Sequence, residues 1–160
     1  MELPDRFVVF SLAERRFALH LFAVKRVVRM AEITPLPKAP DIVIGVVNIH
    51  GRVIPVVDIR SRFGLPGREI DPSDHLIIAH TSGRAVALVA DQVTGILDRA
   101  RKEVIPAEHI LPAIDYVEGA IKLEDGLVLI HDLEKFLSLD ESRVLSEALQ
   151  AARVGNGIEV

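Results

Sequence analysis

The sequence predicts a mainly β fold of two similar small barrels, finished by a C-terminal α-helix. Three observations predict it. Short apolar runs bounded by glycine, proline, asparagine and aspartate recur from Phe7 to Ile130, which is the pattern of strands and turns. The second half of the chain repeats the first. Beyond Leu137 the apolar period changes from that of strands to that of a helix.

The repeat carries most of the argument. At an offset of 69 residues Phe7 falls on Leu76, Val9 on Ile78, Arg15 on Arg84, Leu19 on Leu88 and Val24 on Val93. Later in each half the offset is 74, with Gly45 on Gly119, Asp58 on Asp132, Ile54 on Val128 and Phe63 on Leu137. The difference is a loop insertion. Two copies are too few for a solenoid, so two closed units are expected, because closure removes exposed strand edges.

In order, Phe7–Leu12 and Phe17–Leu21 read as strands around a charged turn at Ala13–Arg16. Their alternation is only partly amphipathic, as expected where both faces are covered. Val24–Met30 reads as a strand with one solvent face, and Pro35, Pro37 and Pro40 then stop any regular element. Val43–Val47 and Val53–Ile59 form a strand pair around a His50-Gly51-Arg52 turn. Pro55 interrupts the second of these, which places it on an edge strand or a bulge. A loop with Pro66, Gly67 and Pro72 separates the halves.

The second half begins again with strands at His75–His80, Ala85–Ala90 and Val93–Leu97. A stretch punctuated by Pro106 and Pro112 leads to Tyr116–Leu123 and Leu127–Ile130, which flank Glu124-Asp125-Gly126. Leu133–Leu137 reads as a short helix. Ser138 with Glu141 is a capping-box pattern, and Leu139, Val144, Leu145 and Leu149 recur at helical spacing, giving a helix over 138–153 that ends at Gly155-Asn156-Gly157.

Composition removes several classes of function. Of 160 residues 49% are hydrophobic and 26% charged, with a formal net charge of −4. That is a globular composition without the clustered basic face of a nucleic-acid binder. The absence of cysteine removes disulfides and thiolate metal sites. No apolar run reaches the length of a membrane span, and the charged start of the chain has no signal-peptide core. A soluble, cytoplasmic protein with no direct membrane insertion is expected.

No catalytic pattern stands out. The six histidines show no metal-ligand spacing, and none of the serines lies in a nucleophile elbow. Phosphate-binding glycine motifs are absent. Asp58 and Asp132 occupy equivalent places after apolar runs, where aspartate caps backbone N–H groups. No enzyme activity, cofactor or metal is expected. What remains is a binding module, recruiting partners by strand edges or an apolar groove.

The stretch from Gly45 to Gly64, GVVNIHGRVIPVVDIRSRFG, resembles the signature of CheW-like domains, the bacterial chemotaxis coupling proteins. Val86–Val93, Tyr116–Gly119 and Leu127–Asp132 resemble that family's second-half strands, and the likeness runs in order from about Phe7 to Leu137. It implies two SH3-like five-stranded β-barrel subdomains, interleaved in one domain over 1–160, with signature halves at about 7–64 and 75–137. It also implies a non-catalytic adaptor that links the cytoplasmic tips of methyl-accepting chemoreceptors to the regulatory domain of a CheA-type histidine kinase. With no room for a kinase core or receiver, a stand-alone coupler is expected.

By the same resemblance, Asn48, His50, Gly51 and Arg52 form a turn beside the receptor groove between the barrels. Val24, Arg26, Val27 and Val28 form part of a first-barrel kinase face. Gly45, Pro55, Asp58, Gly119 and Asp132 are structural. Two departures stand out: the family usually has arginine where this chain has His50, and an acidic residue where it has Arg26. A charge reversal at an interface argues for altered partner choice. The alternative reading is a ligand-binding sensor using the cleft between barrels, through His50 and Arg52.

Overall fold

The computed structural model describes residues 3–110 and 115–156; Pro112 and Gly157 lie outside the described residues. The first half supplies β1 (Asp5–Leu12), β2 (Arg15–His20), β3 (Val24–Arg29), β4 (Val43–Ile49) and β5 (Arg52–Val57). The second supplies β6 (His75–His80), β7 (Ala85–Ala90), β8 (Gln92–Arg99), β9 (Val104–Pro106), β10 (Val117–Leu123) and β11 (Gly126–His131), followed by α1 (Leu139–Asn156).

Two sheets result, one in the order β8-β1-β2-β11-β10-β9 and the other β3-β6-β7-β5-β4. Each sheet therefore draws on both halves. The hairpin β1–β2 sits with β8, β10 and β11, and the hairpin β6–β7 sits with β3, β4 and β5. A 3-10 turn at Leu21–Ala23 carries the chain from one sheet to the other. The exchange obeys the repeat to the residue. Val27 pairs with Ile77 and Ile96 with Val8, and both ladders slip at the same place, between Val24 and Arg26 and between Val93 and Gly95.

Both faces of the hairpins are covered, which explains their weak amphipathicity. Phe7, Val9 and Ala18 point into one barrel with Ile121, Val128 and Ile130. Leu76, Ile78, Ala87 and Val89 point into the other, the barrel of β3, with Val47, Ile54 and Val56. The alternate residues, among them Phe10, Phe17, Leu19, Ile77 and Leu88, meet between the sheets, where α1 adds Leu145. Strand residues alternate faces, so one hairpin serves two cores.

Three expectations are corrected. Pro55 lies on β5, an inner strand between β7 and β4, and not on an edge. The reason is local: its partner Val46 turns both backbone groups away, donating to and accepting from Thr34 at 2.7 and 2.9 Å. The Val46–Pro55 pair is thus a non-hydrogen-bonded one, and the missing N–H costs that ladder nothing. On its other side the ladder to β7 joins Val56 and Val57 only.

The stretch Leu133–Leu137 is turn and bend, not helix. Its counterpart Ile59–Phe63 is a 3-10 helix closed by Gly64 in the left-handed region. At the place of Gly64 the second half has Ser138, which starts α1 instead. Finally, the proline-marked segments are not wholly irregular. Thr34 bridges to Val46, and β9 pairs with β10.

Candidate functional site

The hairpin β4–β5 ends in a two-residue turn, with Ile49 opposite Arg52. His50 and Gly51 both have positive φ, 52° and 82°, which a tight hairpin of this twist requires. Asn48 Oδ1 accepts a hydrogen bond from Gly51 N at 2.9 Å and fixes the turn from the side. Asn48, His50, Gly51 and Arg52 are all exposed. Arg52 is the first residue of β5, so the turn proper is His50-Gly51.

Strand β3 is an edge of its sheet. Val24 and Val28 are half-buried, whereas Lys25, Arg26, Val27 and Arg29 are exposed. Among the described residues no ion pair engages Lys25, Arg26, Arg29 or Arg52. The field they make is felt nearby. Burial, and then the charges of Lys25 and Arg52, hold the His80 imidazole below its ordinary value. Lys25 on β3 and Arg52 on the hairpin thus both act on one residue of β6. The hairpin turn and the β3 face belong to the same barrel.

The five residues expected to be structural have distinct settings. A Cβ on Gly45 would stand 2.4 Å from the Thr34 carbonyl oxygen, and one on Gly119 would stand 2.7 Å from that of Ile105. Asp58 Oδ1 accepts from Arg60 N at 3.0 Å, and Asp132 Oδ1 accepts from Glu134 N at 3.2 Å. Pro55 is buried.

Several residues that carry the architecture were not singled out by sequence. Arg60 is 2% exposed and pairs with Asp58 and Asp91. Asp91 also takes Arg68 at 2.5 Å and the backbone N of Ala13 at 2.8 Å, joining β7 to the first hairpin's tip. Burial pushes the Asp91 carboxyl up, but the Ala13 amide and the two guanidinium groups outweigh it and hold it below the usual carboxylate value. The only local signal was a polar residue closing each apolar run.

His131 is 1% exposed and, among the described residues, neither of its nitrogens has a partner. It packs against the Phe63 and Phe136 rings, and burial pushes its pKa down to about 4. His20, by contrast, is bonded to Glu118, whose carboxylate raises its pKa against the cost of burial.

Open clefts line the surface and none of those found is formed by the hairpin tip. One of about 650 Å³ lies over Arg68, Asp71, Asp74 and Asp91. Another of about 350 Å³ lies over Phe7, His20, Phe22 and Glu118. Two further spaces, of about 210 and about 400 Å³, flank α1. His50 and Arg52 line none of these four, so none of them supports the small-molecule sensor reading. Among the described residues no three metal-ligating side chains converge, and no helix is long and apolar enough to cross a membrane.

Comparison with known proteins agrees with this architecture. The family model for the CheW-like domain matches residues 6–141. Chemotaxis protein CheW of Klebsiella aerogenes is 24% identical over 149 residues, covering 92% of this chain and 90% of that protein. Protein FrzA of Myxococcus xanthus is 28% identical over 118 residues, covering 69% of this chain and 74% of its own. The crystal structure of the scaffolding protein TtCheW from Thermoanaerobacter tengcongensis superposes with a TM-score of 0.78 at 30% identity, over 87% of this chain and 96% of that one. With the exchanged hairpins and two SH3-like barrels in place, the chain belongs to the CheW-like domain family, the coupling adaptors of chemotaxis.

Proposed function

We infer that this chain is a non-catalytic coupler in the cytoplasm, joining the tips of methyl-accepting chemoreceptors to the regulatory domain of a CheA-type histidine kinase. One observation carries the reading. Along most of its length the chain is a CheW-like domain, and it presents a free strand edge with Val27 exposed together with an exposed hairpin tip. Such surfaces recruit proteins through edges and grooves.

In this reading Val24, Arg26, Val27 and Val28 belong to the kinase face, because β3 presents a free edge with Val27 exposed at its centre. Asn48, His50, Gly51 and Arg52 belong to the receptor side, on a turn whose backbone is set before any partner arrives. The carboxylates of Asp58 and Asp132 are engaged with backbone N–H groups, which leaves acid–base work without a free pair there.

The test is calorimetric titration with the regulatory domain of a kinase encoded in the same genome. Saturable binding is expected, weakened by Val27→Asp on the β3 edge. A family of such domains that all fail to bind would overturn the coupler reading.

A further inference from the structure

The internal repeat offers a comparison that a single edge does not. β3 and β8 are equivalent strands, each an edge of its sheet and each carrying the same bulge. Their exposure matches residue by residue: half-buried Val24 and Val93, then three exposed residues, then half-buried Val28 and Leu97. Each also shows one exposed aliphatic residue at the same step, Val27 at 38% and Ile96 at 52%. In shape the two edges are alike.

In charge they are not. Lys25, Arg26 and Arg29 on β3 become Thr94, Gly95 and Asp98 on β8. Around β8 two cations have carboxylate partners, Arg6 of β1 bonding Asp98 at 3.1 Å and Arg101 lying 3.9 Å from Asp5, while Arg99 bonds the Asp98 backbone oxygen. At the place of Arg6, β6 has His75, which stands opposite Arg29 and supplies no anion. Arg52 adds to the same side, within range of His80 along with Lys25. The cationic group is therefore uncompensated, on a chain whose net charge is −4.

We propose that the β3 edge is a charge-selective docking surface for an acidic protein edge, an exposed strand flanked by carboxylates on the kinase regulatory domain. The inference rests on the coupler reading and goes past it. Val27 supplies apolar contact, the free backbone groups of β3 supply a ladder for a pairing strand, and Lys25, Arg26 and Arg29 choose the partner. Like charges oppose the docking of a basic partner, so the edge rejects as well as selects. The β8 edge, where Thr94, Gly95 and the paired Asp98 stand in place of the three cations, lacks that cluster.

The experiment uses the whole protein and the regulatory domains of the CheA-type kinases of its genome, titrated at about 50 and about 500 mM salt. Affinity for one acidic-edged domain is expected to fall about tenfold at the higher salt, and Arg26→Glu or Lys25→Glu to lower it about tenfold at the lower salt, with the gap closing as salt rises. Both side chains are exposed and bond no other described residue, and two variants guard against one misfolding. Binding that is flat with salt and untouched by either variant would overturn the charge-selective edge and leave the coupler intact. No binding by any domain would overturn both. Salt-dependent self-association in sedimentation, lost in Arg26→Glu, would make a second copy the occupant and overturn the proposal.

Discussion

Gly45 and Gly119 hold one place in the two halves, and at each the missing side chain lets another backbone come close. An added methyl would meet the Thr34 or Ile105 carbonyl oxygen well inside contact distance. Gly119→Ala is therefore expected to destabilise the protein by about 2 kcal/mol, the cost of forced overpacking, in a urea titration; an unchanged midpoint would contradict the close approach. His131 gives a second prediction at this scale. Its folded pKa of about 4 lies below the ordinary 6.5, so the unfolded chain takes up the proton first. Stability is whole above 6.5 and falls between there and about 4 as pH drops, by up to about 1.4 kcal/mol per pH unit. His131→Leu should flatten that part of the pH–stability curve, and a curve of unchanged slope would show that another group is responsible. The sequence placed a histidine beside Asp132 but gave no sign of its burial. Phe136, five residues on, and Phe63, from the other half of the chain, pack against it, and the second contact is not visible in the local pattern.

The strands were largely legible, because alternation and turn residues are local signals, and β6 and β7 fall where the apolar runs end. The failures are also physical. A proline lacks one hydrogen-bond donor and is not barred from an inner strand as such; here Val46, its partner, bonds Thr34 instead. Leu133–Leu137 has helical composition but ends at a serine that caps the next helix, where its counterpart ends at a glycine. That cap is reciprocal: Ser138 Oγ accepts from Glu141 N, and Glu141 Oε1 accepts from Ser138 N, both at 3.0 Å. Glu141 also holds Arg62 at 2.6 Å, which ties α1 to the turn after β5. Ser138→Ala should cost about 1 kcal/mol. Glu141→Ala should cost more, since it loses the tie to the barrel as well. Equal losses in thermal melts would mean that the Arg62 contact adds nothing.

At the scale of the molecule, duplication was visible as two offsets, and the resemblance implied interleaved barrels. Which strands cross was not visible, since periodicity says what a strand is but not which sheet it joins. The structure answers with hairpins β1–β2 and β6–β7 each seated among the other half's last strands. One consequence is that the hairpin tip and the β3 edge share a barrel, while Arg60, Asp91 and Arg68 lock that barrel to the first hairpin. A barrel that offers both a hairpin tip and a free strand edge suits a coupling adaptor. The most direct test is reconstitution of a receptor cytoplasmic fragment and a CheA-type kinase from the same genome, with and without this chain. Kinase autophosphorylation should respond to the receptor only when the chain is present, and Val27→Asp should abolish that response. A receptor response that is the same without the chain would contradict the account at its centre.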